Sequence, residues 1–337
     1  MKETISRLFR CLQTGISFTL PLLVAGGICR GALPWCEGSI YELLLNLADI
    51  CTWLAPVIFS VYTSYSIGDR PALIPAFVVG TVSQMLSLGI TGALVGALLS
   101  GTCVWVLRDI PFPREMRNIK TLLVIPIAAT LLPAAVIKAV AEWLLPLNGL
   151  IHWFLDRPVP LLACIAGALI AGVISLDMGG EKGNYSSLLV NLCLLDGCIW
   201  PTAAKIAGCI VPGMILALYF FVRRRGHGAG RLLLQACCQI TEGVLSCSAQ
   251  RPRGLTKACV WGAGMAGCLV VWGDVQCPVP HGGLFLLPFM SHPANFLLAI
   301  VVGCLFGVLL LLYFERHGHT AQEELLPENI TIEWENF

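Results

Sequence analysis

The sequence predicts an all-α protein that crosses a membrane many times, and three properties of its composition support this prediction. Of the 337 residues, 57% are hydrophobic and only 12% are charged, which is about half the charged share of an average soluble protein. The mean hydropathy is +0.80. Because a water-soluble fold of this size needs more charge on its surface, the composition excludes an ordinary soluble enzyme, a disordered chain and a nucleic-acid-binding protein.

About ten apolar segments approach the length of roughly 20 residues that a helix needs to cross the hydrocarbon core. The first is expected to be retained as a span, since no convincing cleavage site follows it. Residues 231–250 are too interrupted to span, and we expect a re-entrant hairpin there. The candidate spans are residues 14–33, 50–67, 72–89, 91–107, 121–145, 159–176, 187–200, 205–222, 258–272 and 284–313.

The distribution of basic residues predicts the orientation of the spans. With the N-terminus on the cytoplasmic side, 17 of the 21 lysines and arginines fall on that side. This bias is the positive-inside pattern, and it places both termini in the cytoplasm. We expect a membrane domain over residues 1–314 and a short, loosely ordered acidic tail over 315–337. The 16 cysteines form no CxxC pair and lie mostly in apolar segments, so no disulfide framework, metal site or cofactor is expected.

Polar residues among the spans are costly, so each polar island is a candidate functional site. The first island, residues 65–75, holds Asp69 and Arg70 at a helix end. The alternative interpretation of this island is a loop that is held by a local ion pair between these two residues. The second island, residues 177–184, has an acidic residue followed by glycines that break a helix and expose backbone groups. It is either an inner turn or a broken helix that lends polar groups to a substrate cavity.

Two further islands lie nearer the C-terminus. In the segment 239–243, Glu242 follows Thr241 in a weakly apolar stretch. A buried carboxylate needs a hydrogen-bonding partner, and a polyol substrate would supply one. In the segment 280–283, His281 lies in a Pro/Gly turn, where it has either a structural role or a binding role.

A glycine pattern in residues 262–267 matches GxGxxG, the signature of nucleotide-binding folds. It lies inside an apolar span and has no strand before it. The pattern therefore predicts close helix packing and not a nucleotide site.

The four islands and the opening helix, in this order, resemble the fructose-specific enzyme IIC component of the bacterial phosphotransferase system. The matching segments extend over residues 12–285, most of the chain, and each is short. They are Thr14–Gly27, Tyr65–Pro71, Leu176–Gly180, Ile240–Gly243 and Pro280–Gly283.

This resemblance implies a fold, a location and a coupling. The wider family has about ten spans, two re-entrant hairpins and a homodimeric scaffold in the lipid bilayer of the bacterial inner membrane. A transport domain carries the sugar, and a separate IIB protein, itself served by IIA, phosphorylates it from a phosphocysteine. The IIB motif is absent from this sequence, so no phosphorylated or catalytic residue is expected in this chain.

The resemblance also implies roles for individual residues. Glu242 accepts hydrogen bonds from sugar hydroxyls, and His281 completes the polar shell. Asp69 and Arg70 shape the inner gate or the surface on which IIB docks. The full set expected at the substrate is Glu242, His281, Thr241, Asp177, Gly179, Gly180 and Asn184.

Departures from the family pattern leave the sugar open between fructose, another hexose, a polyol and a modified sugar. Where the family has proline-valine-asparagine-lysine after Gly180, this chain has the segment 181–184, Glu-Lys-Gly-Asn. Two other functions also remain open. One is an ion-gradient-driven secondary transporter, with Asp196 and Lys138 as coupling candidates. The other is a sugar sensor that does not transport.

Overall fold

A computed structural model describes residues 2–113, 117–155, 160–176, 181–223, 229–241 and 254–317. Every regular element within these ranges is helical, which confirms the predicted fold class. The helices are α1 (Lys2–Ala32), α2 (Gly38–Gly68), α3 (Leu73–Met85), α4 (Gly89–Asp109), α5 (Ile125–Leu155), α6 (Pro160–Leu176), α7 (Glu181–Leu195), α8 (Trp200–Val222), α9 (Ala229–Cys237), α10 (Leu255–Trp272) and α11 (Pro293–His317).

Seven helices in the described residues are long and apolar enough to cross a membrane, so the chain is a multi-pass membrane protein. They are α1, α2, α4, α5, α8, α10 and α11. The remaining four are shorter. For example, the 13 residues of α3 rise about 20 Å, less than the roughly 30 Å of a hydrocarbon core. The predicted total of about ten crossings therefore stays a prediction.

The helices pack in two groups. Helices α1 to α5 contact one another, and α6 and α8 to α11 form the second group. Helix α7 touches both groups, and Gly27 of α1 packs against the Pro278 carbonyl of the second group. Helix α8 is the centre of the second group, because every residue from Trp200 to Gly213 is buried.

One end of the molecule is rich in basic side chains, and we call it the basic end. Asp69, which follows α2, bonds there to Arg108 in the last turn of α4. Arg30, near the end of α1, lies at the opposite end and lines a small cavity with Gly197, just before α8. Helix α8 therefore starts opposite the basic end and runs to Arg223 at the basic end.

The last helix extends further than the predicted domain boundary. Tyr219 donates a hydrogen bond to Glu315 Oε1 at 2.8 Å, and Arg223 pairs with the second oxygen of the same carboxylate. Because α11 runs to His317, the boundary expected after residue 314 falls within its final turn. The rest of the expected tail lies outside the described residues.

Two of the three glycines in the GxGxxG pattern make close helix contacts, which confirms the packing interpretation. A Cβ at Gly267 on α10 would lie 2.3 Å from the carbonyl oxygen of Gly167 on α6. A Cβ at Gly262 would lie 2.8 Å from the carbonyl oxygen of Gly303 on α11. Helix α10 thus sits between α6 and α11 at backbone contact distance, as small residues allow in membranes.

We predict that Gly267→Ala destabilises the protein by about 1–3 kcal/mol, because the added methyl group meets a backbone oxygen that cannot move alone. Thermal unfolding of the detergent-purified protein measures the effect. Gly264→Ala is the matched control, since its Cβ would be an ordinary 3.4 Å from the nearest oxygen. Equal melting temperatures for the two variants would contradict the packing described here.

Candidate polar site between two hairpin tips

The chain turns at the end of α9, where the sequence predicts a re-entrant hairpin, and we call this turn the first tip. Helix α9 ends at Cys237, and Gln239 has a positive φ of 65°. The return arm of the expected hairpin lies outside the described residues. This backbone turn places the Gln239 side chain against a second tip. Its Oε1 accepts hydrogen bonds from the backbone N–H groups of Gly282 at 3.0 Å and Gly283 at 3.1 Å.

The second tip lies between α10 and α11, where the sequence predicted one continuous span from residue 284. Residues 273–282 instead fold back without regular structure, and a 3₁₀ helix covers Gly283–Phe289. Gly282 has φ 142° and Gly283 has φ 60°. A Cβ at Gly283 would lie 2.1 Å from the Cys237 carbonyl oxygen, so only glycine permits the two tips to meet.

A buried lysine joins this meeting point to two neighbouring helices. Lys205 on α8 is only 1% exposed. Its Nζ donates to Asn191 Oδ1 on α7 at 2.8 Å and to the Pro280 carbonyl at 3.2 Å. The ammonium therefore holds α7, α8 and the second tip together. It also interacts electrostatically with His281.

Two more buried polar groups belong to this neighbourhood. Thr202, Lys205 and Cys209 share one face of α8, at a spacing of three and four residues. The Gln239 side-chain nitrogen lies beside the Cys209 thiol. Within the described ranges the Thr202 hydroxyl has no hydrogen-bond partner, and the Gln239 nitrogen has none besides this thiol, although both residues are more than nine-tenths buried.

The structure brings together some of the residues that the sequence predicted for the substrate. His281 is exposed and follows Pro280 directly, and Thr241 is half-buried two residues after Gln239. Asn184 is not brought to the cluster. It is exposed near the start of α7, two turns and about 10 Å from Asn191. The other predicted residues, Glu242, Asp177, Gly179 and Gly180, lie outside the described residues.

The interpretation of Asp69 and Arg70 as a local ion pair is corrected by the structure. Asp69 Oδ2 instead pairs with Arg108 Nη1 at 2.6 Å, 39 residues along the chain. The reason is that the backbone turns sharply at Asp69, where φ is 56° and ψ is −159°. Few residues other than glycine adopt this conformation, and it directs the carboxylate to the end of α4.

Asp69 and Arg70 line one cavity of about 790 Å³ at the basic end. Arg108 and Lys120 also line it. The Lys120 ammonium donates to the carbonyl oxygens of Arg108 at 2.7 Å and of Ile110 at 2.6 Å, which caps the C-terminus of α4. Three of the charged residues that line the cavity are therefore bonded within the protein, and Arg70 is exposed at its edge.

The two residues suggested for ion coupling have other positions. Asp196 Oδ1 accepts a 2.6 Å hydrogen bond from the backbone N–H of Ile90. This places a carboxylate at the N-terminus of α4, where the helix dipole stabilises negative charge. Lys138 is exposed on the surface of α5. These positions favour a structural role for Asp196 and connect neither residue to the cluster at the hairpin tips.

Sequence reasoning missed three residues of the cluster, Lys205, Asn191 and Gln239. Lys205 was visible as a lone lysine at the start of an apolar segment, a pattern that marks functional residues in membranes. Gln239 stood in the third island without an assigned role. Nothing in the sequence singled out Asn191, because its partner is 14 residues away on another helix.

Fold and site together define a class: a multi-pass helical membrane protein whose polar cluster lies where two broken, non-spanning segments meet. In membrane carriers, irregular backbone of this kind is tolerated where it lines a binding site. No family model matches the chain.

Curated relatives identify the family within this class. The fructose-like permease IIC component 2 of Escherichia coli is 26% identical over 87% of this chain and 86% of its own length. The fructose permease IIC component of Bacillus amyloliquefaciens is 28% identical over 78% of this chain and 90% of its own. The chain is a divergent member of the fructose-specific enzyme IIC components of the phosphotransferase system.

Some relatives are much longer than this chain. The fructose-specific EIIB'BC component of Xanthomonas campestris is 30% identical over 88% of this chain but only 55% of its own length. The chain likewise spans about half of the fructose-specific EIIABC component of Bacillus subtilis.

We predict that Gln239→Met weakens sugar binding at least about tenfold, because it leaves the two glycine N–H groups buried without an acceptor. Each such loss costs about 1–3 kcal/mol. Equilibrium binding of radiolabelled fructose to the purified protein measures the effect. Gln235→Met makes the same change one turn earlier on the same hairpin arm, and we expect wild-type binding from it. Equal binding by both variants would contradict a role for Gln239 in joining the tips.

The backbone conformation of Asp69 yields a second prediction. Asp69→Gly should be no less stable than wild type, because glycine relieves roughly 1–3 kcal/mol of strain while the exposed ion pair contributes at most about 1 kcal/mol. Asp69→Ala loses the pair and keeps the strain, so it should melt at a lower temperature than Asp69→Gly. The opposite order of melting temperatures would show that the backbone at residue 69 is not strained.

Proposed function

We propose that this protein is the membrane-spanning permease subunit of a sugar phosphotransferase system and carries fructose or a related sugar across the bacterial inner membrane. The observation that carries this proposal is the junction of the two hairpin tips. Gln239, the glycine N–H groups and Lys205 place polar groups inside an otherwise apolar domain, as a site for a small polar ligand requires.

The residues around the junction would divide the work of binding. Exposed His281 and half-buried Thr241 are proposed to contact sugar hydroxyls at the tips. Glu242, which follows Thr241 in sequence, is proposed as the main acceptor for those hydroxyls. Asp177, Gly179 and Gly180 are proposed to hold a bent segment near the cavity. The transport reaction needs no nucleophile from this cluster, because the phosphoryl group comes from another protein.

The partner proposed for this chain is a IIB protein, which in turn receives its phosphoryl group from IIA. The names of the longer relatives, EIIB'BC and EIIABC, support this association. We propose that the basic end faces the cytoplasm, with both chain termini on that side. The cavity of about 790 Å³ that Asp69 and Arg70 line would then open towards the cytoplasm. There it would form part of the inner gate or of the docking surface for IIB. A homodimer in the bilayer is proposed as the working assembly.

Uptake of radiolabelled fructose in cells lacking their own fructose system tests this function. Cells that express the chain together with a fructose-type IIB protein should accumulate fructose phosphate, and cells that express the chain alone should not. Accumulation of free sugar without IIB, abolished by an uncoupler, would instead establish a gradient-driven carrier. Binding of fructose without accumulation in either case would establish a sensor.

The Glu242→Gln variant tests the proposed sugar acceptor. We expect it to lower partner-dependent uptake by at least about 100-fold, since a charged hydrogen bond contributes about 1.5–3 kcal/mol and the substrate makes more than one. Glu142→Gln, an equivalent change at an exposed position on α5, is the control and should transport normally. Normal uptake by Glu242→Gln, at matched expression, would remove Glu242 from the site.

A further inference from the structure

Helix α5 packs against the first helical group by one side and carries two charges on another. Ile137 and Ala141 are buried in a cluster with Val79 of α3. Lys138 and Glu142 are both exposed. They are four residues apart, so they lie one turn from each other on the same side of the helix.

Both charges lie inside the membrane-spanning part of α5. The span extends from Lys120 to Leu150. Lys138 is within one turn of its middle, and Glu142 is within two turns. Among the described residues, neither side chain has a hydrogen bond or an ion pair. A charge that faces lipid at this depth is costly, and charged residues in spans usually face protein. We therefore expect protein to cover this side of α5.

Small residues beside the charges allow another helix to come close. Ala135 and Ala139 are exposed on the same side of α5, four residues apart. Two turns beyond Glu142, a Cβ at Gly149 would meet no atom within 4 Å. In membranes, this spacing of small residues is typical of faces where two helices contact each other. We call the surface formed by Ala135, Lys138, Ala139 and Glu142 the charged face of α5.

We propose that the charged face of α5 is the contact surface between two copies of this chain, related by a two-fold axis along the membrane normal. Lys138 of each copy pairs with the partner's Glu142. Under two-fold symmetry, each such contact forms twice. Each copy brings one lysine and one glutamate, so every charge on the face obtains a partner. The inference rests on the proposed function, since it names the surface of the homodimer proposed there.

A second copy fits this face better than the alternatives. A lipid acyl chain has no charged or hydrogen-bonding group for either side chain. A pair formed within one helix would still face lipid, and lysine before glutamate is the less favourable order at this spacing. In a dimer, the oppositely charged residue of the partner lies about one turn higher or lower. Long side chains bridge a similar offset between the parallel helices of coiled coils.

Charge reversal in two separate copies tests the proposal. Lys138→Glu leaves two glutamates on the face, and Glu142→Lys leaves two lysines. Each variant alone should dimerise at least about tenfold more weakly than wild type in analytical ultracentrifugation of the detergent-purified protein. Co-expression of the two variants with different affinity tags should restore a mixed dimer, because each lysine then faces a glutamate. Mixing would not restore a pair within one helix, since each chain keeps two like charges.

Two further variants are controls for the charge reversals. Lys257→Glu makes the same reversal at an exposed position on α10 and should dimerise like wild type. Glu142→Gln should also stay dimeric, because its amide keeps an acceptor oxygen for the partner's lysine. A monomeric wild type, single reversals that dimerise as well as wild type, or no mixed dimer from two folded variants would overturn the proposal.

Cross-linking decides the question if a charge-reversal variant does not fold. Ala135→Cys places a thiol near the centre of the charged face, and oxidation in membranes should link two copies through it. Val136→Cys is the matched control, because the next residue is exposed on a different side of the helix. It should give only the background that the native cysteines give in wild type. Equal cross-linking of the two variants would contradict the proposed interface.

Failure of this inference and failure of the proposed function give different results. Partner-dependent uptake of fructose by wild type, together with charge reversals that leave dimerisation unchanged, would contradict the interface and leave the permease function standing. A mixed dimer restored from the two variants, without partner-dependent uptake of any sugar by wild type, would support the interface. It would also contradict the coupling to a IIB protein.

Discussion

The architecture of the second helical group depends on one interaction. The Gln239 side chain accepts hydrogen bonds from two backbone N–H groups. Two hairpin tips end inside an apolar domain, and backbone groups in such a place must be bonded within the protein. Gln239 Oε1 satisfies Gly282 and Gly283 together, so each tip completes the other. The site consequently lies where two broken segments meet, and it cannot form on either segment alone.

Close helix packing around α8 supports this junction. Helix α8 is buried along its first fourteen residues, and Gly208 brings it to backbone contact with Ala171 of α6. One turn earlier on α6, Gly167 meets Gly267 and allows α10 to approach equally closely. Such contacts fix the helix that carries Lys205, and they leave the ammonium to bind only α7 and the second tip. Small residues thus determine where the charged residue points.

The sequence predicted the fold class and the glycine packing, because these follow from local composition and spacing. It did not predict the Asp69–Arg108 pair, which depends on a sharp backbone turn and a partner 39 residues away. Lys205 and Asn191 were missed for the same physical reason, since a buried ion is recognised by its partners and these come from separate helices. The break near residue 283 was hidden because an apolar run has the same composition whether it spans or folds back.

A cryo-electron microscopy structure of the full chain with fructose bound tests the central claim most directly. We expect sugar density at the junction of the two tips, in contact with His281 and within reach of the groups around Lys205. In that complex, Gln239 should still accept hydrogen bonds from Gly282 and Gly283. Sugar density in the cavity beside Asp69 and Arg70, or tips that lie apart with Gln239 unbonded, would contradict it.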